Sequence, residues 1–425
     1  MDWQIYFSAI LFITVYAFIV TEKIHRTVVA LLGAVLTVAF GVLTQTEAVA
    51  AVDFNTIGLL IGMMILVGIT RRSGVFEFLA IYGAQKTKGD PVKLLVVLAT
   101  ITALASAFLD NVTTVLLVVP VTFAITEKLG VHPFPYLLVE ILASNIGGTA
   151  TLIGDPPNIM IGGGTGLGFM DFLVNLTPVV VIVFAVTISI CVLLFRKRLE
   201  VAEAQKELIM NFHSREAIRD YVLMKKSVSV LALVMLGFVI HQYVGLEPAT
   251  VALLGAALLM CIARENEPED ILLTVEWPTI FFFVGLFILV GSLEKVGIIE
   301  AIARKLMELT HGSMGITAIL ILWMSAIFSA FVDNIPFTAT MIPLIKSIGQ
   351  LTGGALDPLW WSLALGACLG GNGTIIGASA NVVVSGISAQ HGYNITFMDY
   401  LKYGFPLMLL SIIISTLYVW LRYLT

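Results

Sequence analysis

Charge is the scarcest property of this 425-residue chain: 23 lysines and arginines and 28 aspartates and glutamates make up only 12% of it. A soluble domain carries roughly 25% charged residues, so the shortage excludes a water-facing globular protein. The net charge of −5 is small and no basic block is present, which gives no reason to expect a nucleic-acid partner. Cysteine is rarer still. Cys191, Cys261 and Cys368 all fall inside apolar segments, which suits helix packing better than disulfides or metal ligation. The six histidines show no metal spacing. His241 and His391 are possible proton carriers, and interfacial packing accounts for them more simply. No nucleophile–base pair or metal cluster stands out, so an enzyme is not expected.

What the chain does have is apolar sequence, 59% of its residues, with a mean hydropathy of +1.00. Segments of about 20 apolar residues recur along almost the whole length and read as transmembrane helices. They lack the period-two alternation of a membrane barrel. The first, Ile5–Val20, has no basic leader before it and no small-residue cleavage site behind it, so a retained helix is expected.

Two stretches interrupt this pattern in the same way. SAFLDNVTTVLLVVP at 106–120 returns as SAFVDNIPFTATMIP at 329–343. Each places Asp-Asn inside lipid-length apolar sequence, where an ionisable residue is costly and is by default a functional hypothesis. Asp110 and Asp333 are 223 residues apart. The same offset maps Gly68 onto Gly291, Glu77 onto Glu300 and Asn158 onto Asn381, and TVVALLG at Thr27–Gly33 resembles TVALLG at Thr250–Gly255. The match is read as ungapped from Thr27 to Asn158. It then slips, since FMDF at Phe169–Phe172 pairs with FMDY at Phe397–Tyr400. This is an internal duplication.

The fold expected is an all-α integral membrane protein of two inverted-topology repeats. Each has five transmembrane crossings plus one re-entrant hairpin and a discontinuous helix. Residues 1–197 form the first repeat, 198–225 a cytoplasmic linker and 226–425 the second repeat. In the first, helices are expected over 4–21, 27–44, 54–70 and 172–195, with an interfacial segment at 74–88. The stretch 92–126 is broken at Asp110-Asn111, and 136–165 is broken at Gly147-Gly148 and at Gly154-Asp155-Pro156-Pro157. Lys23, Arg26, Arg71, Arg72, Lys86, Lys88, Lys93, Arg196, Lys197, Arg198, Lys225 and Lys226 fall on one side only if 92–126 re-enters. The inverted second copy then puts Arg264 and Lys402 inside, Arg304, Lys305 and Lys346 outside, and both termini external, in the inner membrane of a cell.

Irregular backbone at membrane depth is tolerated only where it is buried in protein or lines a cavity. Two tips and two breaks therefore point to one site near the midplane, where freed carbonyls and half-helix ends can hold a cation or a polar solute. The candidate residues of the first half are Asp110, Asn111, Thr113 and Thr114 at the tip, then Asn145, Gly147, Gly148, Thr149, Thr151, Asp155 and Asn158 at the break. The second half offers Asp333, Asn334 and Thr338, then Gly370, Gly371, Asn372, Thr374, Ser379 and Asn381. Any single threonine is equally well explained as a bond between helices. Asp110, Asp333 and Asp155 are the expected proton carriers, with no metal site beyond a possible sodium ion among the same residues. Glu140 is either a proton relay or an interfacial end, and Gly162–Gly166 reads as a flexible loop because it lacks the lysine of a phosphate loop. No lysine or arginine is expected near either tip or break, which argues against a polyanionic substrate.

The tip FLDNVTTVLLVVPVT and the break NIGGTATLIGDPPNIMI resemble the ion transporter superfamily, in particular its branch of arsenite permeases, sodium/proton antiporters and P-proteins. The related divalent-anion/sodium symporters show Ser-Asn-Thr where this chain has Asp110-Asn111-Val112. The resemblance covers nearly the whole chain. It implies a homodimer with a scaffold and a moving transport domain, working by elevator-type alternating access. The hairpins 92–126 and 315–350 and the broken helices would move, carried by arms at 74–88 and 297–311. The activity expected is secondary transport: proton-coupled efflux of arsenite and antimonite, with no cofactor beyond the coupling proton (or sodium). Three scattered cysteines exclude thiol capture of arsenic, so binding would be oxygen-based. A sodium/proton antiporter using the same residues and an anion channel of the P-protein type are the alternatives. The partners expected are a small inorganic solute and the lipid bilayer, with a soluble ATPase subunit as a possible addition.

Overall fold

The computed structural model describes the chain apart from Met1, Glu22 and residues 203–204, 207–213 and 264–267. Arg264 and part of the 198–225 linker lie outside the described residues. The described chain is helical, and its helices fall into two series of ten. The first is α1 (Asp2–Thr21), α2 (Arg26–Ala39), α3 (Gln45–Ala51), α4 (Phe54–Arg72), α5 (Val75–Lys86), α6 (Pro91–Ser106), α7 (Asn111–Leu129), α8 (Phe134–Thr149), α9 (Pro156–Thr165) and α10 (Phe169–Phe195). The second is α11 (Tyr221–Val244), α12 (Pro248–Ala263), α13 (Pro268–Leu272), α14 (Trp277–Lys295), α15 (Ile298–Leu309), α16 (Met314–Phe331), α17 (Asn334–Thr352), α18 (Asp357–Gly370), α19 (Ser379–Gln390) and α20 (Phe397–Val419). The bounds of α4, α5 and α7 recur 223 residues later in α14, α15 and α17. Lys225 and Lys226, expected at the edge of the linker, lie within α11.

Local capping and proline signals set these bounds. Asp53 caps α4 by accepting from Asn55 N and Thr56 N, and Asp90 caps α6 by accepting from Val92 N and Lys93 N. Such caps satisfy amide groups that the first helical turn leaves without partners. Prolines stand in the first turns of α6, α8, α9, α14 and α18, where a missing N–H costs nothing. Gly130 and Gly353, both at positive φ, end α7 and α17.

Among the described residues, eight helices are long and apolar enough to cross a membrane. Two of them, α7 and α16, are arms of the stretches expected to re-enter, because length and hydropathy do not tell a crossing from a hairpin arm. The expected arms at 74–88 and 297–311 are α5 and α15, which pack on α7 and α17. The halves interleave: α4 packs on α12, α2 on α14, α9 on α17 and α19 on α7. Glycine makes two of these contacts close. A Cβ on Gly62 would lie 2.7 Å from the Ala252 carbonyl carbon, and one on Gly285 would lie 2.7 Å from that of Ala30.

Those contacts correct the expected register. Gly62 and Gly285 are 223 apart, but their partners Ala252 and Ala30 are 222 apart. Likewise Gly33 meets Leu289 while Gly255 meets Leu66. The match is therefore not ungapped from Thr27. Helix contacts hold register to the residue, and a loop absorbs the one-residue difference. The structure also corrects the reading of Gly162–Gly166 as a loop. Residues up to Thr165 belong to α9 and Gly166 is its left-handed cap. Gly163 lies so close to α4 that a Cβ would be 2.2 Å from Asp53 Oδ2.

Candidate functional site

Both tips are helix starts. Asp110 caps α7: Thr113 N donates to its Oδ1 at 2.8 Å and the Thr113 hydroxyl donates to its Oδ2 at 2.5 Å. Asp333 caps α17 through Ile335 N, which donates to Oδ1 at 3.1 Å. The residue matching Thr113 is Pro336, which has neither an N–H nor a hydroxyl to offer. The second oxygen of Asp333 instead takes Arg26 Nη1 in an ion pair, with the Ser379 hydroxyl at 3.5 Å. The guanidinium also lies 5.1 Å from the centre of the Phe282 ring. The expectation that no fixed cation lies near either tip is thus wrong. Arg26 is a hydrophobic-flank arginine in sequence, 307 residues from its partner, and only the packing of α2 against the second half brings them together.

The breaks supply the rest. The helical ladder stops after Thr149 and resumes at Pro156; in the second half it stops after Gly370 and resumes at Ser379. Asn158 and Asn381 close the two gaps in matching fashion. The Asn158 amide donates to the Thr149 and Thr151 carbonyls at 3.1 and 2.8 Å. The Asn381 amide donates to the Gly371 and Thr374 carbonyls at 2.7 and 2.8 Å. The hydroxyls of Thr151 and Thr374 reach back to the hairpins, donating to the Ala107 and Ala330 carbonyls. Gly147 and Gly370 let the broken helices touch α6 and α16, since a Cβ on them would fall 2.1 Å from the Ala103 oxygen and 2.6 Å from the Ala326 oxygen. Gly148 lies against the Gly154 carbonyl in the same way.

Asn145 joins the halves. Its amide donates to Asn372 Oδ1 at 2.9 Å and to Asn381 Oδ1 at 3.0 Å, and its own Oδ1 accepts from Asn111 at 3.1 Å. Across the other arm, Asn334 donates to Asp155 Oδ1 at 3.2 Å. Cys368, which holds the position matching Asn145, places its thiol 3.5 Å from Asn158 Oδ1. Among the described residues, three polar atoms at the tips and breaks are buried with no nitrogen or oxygen partner: Thr114 Oγ1, Asp155 Oδ2 and Asn372 Nδ2, and the Cys368 thiol lies beside the Asp155 carboxylate. Thr149 and Thr338 are buried but bond carbonyls of their own helices, Asn145 and Asn334, as membrane threonines commonly do.

Cavities meet both tips. One of about 360 Å³ is lined by His25, Arg26, Asp333 and Ser379 with apolar walls from α1 and α19. Another of about 390 Å³ is lined by Thr113, Arg71, Arg72, Arg219 and Glu276. Arg26, Arg71 and Arg72 were legible in sequence only as charges that orient helices.

Comparison with known proteins places the chain. Residues 16–366 match the family described as Citrate transporter. Over 419 residues the chain is 43% identical to an uncharacterized transporter of Mycobacterium bovis, covering 97% of each. It is 42% identical to a 46 kDa membrane protein of Mycobacterium leprae, again over 97% of each. It is 33% identical to the P protein of Homo sapiens, with 99% of this chain and 60% of that protein covered. The crystal structure of the Alcanivorax borkumensis YdaH transporter is similar in fold, with a TM-score of 0.58 over 88% of this chain and 87% of that one, at 14% identity. The chain belongs to the citrate transporter family of the ion transporter superfamily and is a multi-pass membrane transporter.

Proposed function

We propose that this family member is a proton-coupled secondary transporter that exports a small hydroxylated solute, of which arsenite and antimonite are the type. The observation that carries this reading is the trio of buried atoms with no nitrogen or oxygen partner on Thr114, Asp155 and Asn372. A buried polar atom without a partner costs about 1–3 kcal/mol. A compact neutral solute rich in hydroxyls donates to the Asp155 carboxylate, accepts from the Asn372 amide and does either with Thr114. Asp110, Asp155 and Asp333 would exchange protons against it.

Inverted repeats belong to the same proposal. Gly58 lies by Ala249 and Gly62 by Ala252, so α4 and α12 run in the same direction. Helix α12 is the counterpart of α2, which α3 separates from α4, and the reading takes α2 to run opposite to α4. A helix parallel to α4 is therefore antiparallel to its own counterpart, as inversion requires. Elevator-type movement of the hairpins and broken helices, a homodimer, external termini and a cytoplasmic linker follow as further parts of the reading.

A second reading is favoured by Arg26. Protonating Asp333 would free the guanidinium toward the cavity beside it, where it would pair with a carboxylate of an organic anion such as the one the family's description names. Proteoliposomes holding a pH dye, given arsenite, citrate and sodium in turn, separate these readings. Arsenite is expected to drive proton counterflux that Asp155→Asn abolishes. Coupling to citrate that depends on Arg26 would replace the first reading with the second, and coupling to sodium alone would replace both. No pH change with any solute would overturn proton coupling.

A further inference from the structure

Glu140 lies outside the tips and breaks, and neither reading above uses it. It is 1% exposed on α8, and Thr122 of α7 donates its hydroxyl to one carboxylate oxygen. The other oxygen is buried with no partner, and among the described residues no salt bridge involves Glu140. Its side chain is enclosed by protein rather than open at a helix end. Glu140 stands six residues from the start of α8 and five before Asn145, about 9 Å and 7.5 Å along the helix. It is therefore a station between the aqueous end of the helix and the asparagine cluster.

The duplication supplies the control. The positions matching Glu140 and Thr122 are Leu363 and Ile345, both fully buried. The same helix pair thus packs with two aliphatic side chains. Packing does not call for an acid here, yet the first half keeps one where an ionisable group is costly.

We propose that Glu140 is a proton-binding residue of the translocating part, distinct from the tip acids. This rests on the proton-coupled reading above. A proton from the aqueous end of α8 adds to the free carboxylate oxygen, giving a neutral carboxylic acid that crosses low-dielectric surroundings without a charge. It is returned as the same proton, so nothing else is consumed. The titratable groups on the surrounding elements are Tyr136 on α8 and His132 before it, Asp90 and Lys93 at the start of α6, and Glu127 and Lys128 at the end of α7. Beyond these are Asp171 and Cys191 on α10, Asp357 and Cys368 on α18, His391 after α19, and Asp399, Tyr400, Lys402 and Tyr403 on α20. His391 stacks on Phe123, next to Thr122, with ring centres 4.1 Å apart.

The test uses the full chain in liposomes with three proteins: wild type, Glu140→Gln, and Glu140→Leu with Thr122→Ile, which imports the second half's packing. Infrared difference spectra across a pH titration should show one protonated-carboxyl band that both variants lose. Flux driven by a pH gradient should fall at least about tenfold in both, while solute exchange at equal pH stays within about twofold. A spectrum with no band lost, or gradient-driven flux that survives either variant, overturns the proposal. The infrared readout does not depend on the solute, so a wild type without proton-coupled flux would defeat the transport reading while proton binding at Glu140 is still scored.

Discussion

At the first tip Asp110 is satisfied by Thr113, three residues along the same helix; at the second, Asp333 is held by Arg26, 307 residues away on α2. Both acids occupy the same place in the duplicated pattern. What separates them begins with a substitution in the following turn, threonine in one copy and proline in the other; Arg26 and Ser379 also lack equivalents at the first tip, where Pro248 and Pro156 match them. A proline removes both donors that Asp110 uses, and the bare oxygen of Asp333 takes a cation from another element. Duplication preserved the acid and reassigned its partner. The first tip is self-contained, whereas the second is tied to α2, and Tyr16 of α1 adds a bond to the Pro336 carbonyl. Any movement of the second tip away from α1 and α2 must break these contacts first.

The largest effect should come from removing that tie. Removing one member of a buried ion pair costs about 3–5 kcal/mol, and with side chains 29% and 14% exposed Arg26→Gln should fall at the low end. Thermal unfolding in nanodiscs measures it, and adding Asp333→Asn should restore most of the loss. Equal destabilisation by Arg26→Gln alone and by the double variant would show that the pair is not what holds the tip.

Next comes the asparagine that joins the halves against the cysteine that replaces it. Asn145→Ala strips partners from Asn111, Asn372 and Asn381 and should cost about 2–3 kcal/mol, with solute affinity falling in parallel. Cys368→Ala removes only weak thiol contacts, that to Asn158 at 3.5 Å among them, and should cost less than Asn145→Ala in the same unfolding assay. The reverse order would mean the two halves share the load differently from their hydrogen bonds.

A smaller effect sharpens the comparison of the tips. Thr113→Ala removes the hydroxyl from Asp110 and should cost about 1 kcal/mol, the usual worth of a cap. Pro336→Thr gives the second tip the first tip's chemistry, so Arg26→Gln should be milder in that background. An unchanged cost would rule out the proline as the reason Asp333 depends on Arg26.

The smallest effect is expected away from the site. The Lys295 ammonium on α14, together with the Thr44 backbone, holds the exposed Glu47 carboxyl down from its ordinary 4.5 to about 2. A depressed carboxyl stabilises the fold above about pH 4.5 and loses that contribution as the pH falls toward 2. Lys295→Gln should flatten the stability profile within that window and leave transport at neutral pH unchanged.

Much of this was readable along the chain, and the misreadings have a common cause. The helices, the break at Gly154–Pro157 and the Asp-Asn tips each announce themselves within a few residues, by hydropathy, by glycine and proline, or by a cap; the break expected at Gly147-Gly148 is absent, because α8 runs through both glycines to Thr149. The pairing of Arg26 with Asp333 and the role of Asn145 do not, because their partners lie hundreds of residues away. Gly162–Gly166 was misread because its glycines serve close helix contact with α4 rather than a loop. The one-residue error in register arose because TVVALLG and TVALLG look alike from either alignment, and only the contacts of Gly62 and Gly285 choose between them.

The order of residues by itself determined that this chain lives in a bilayer, that it is a doubled unit, and where its helices break around buried acids. Hydrophobicity and turn chemistry act over one or two helical turns, so a linear pattern is enough to record them. Which cation meets which acid, and that Asn145 bridges the two breaks, were decided only when the halves interleaved. Hydrogen bonds and ion pairs act over a few ångströms in space, whatever the distance along the chain.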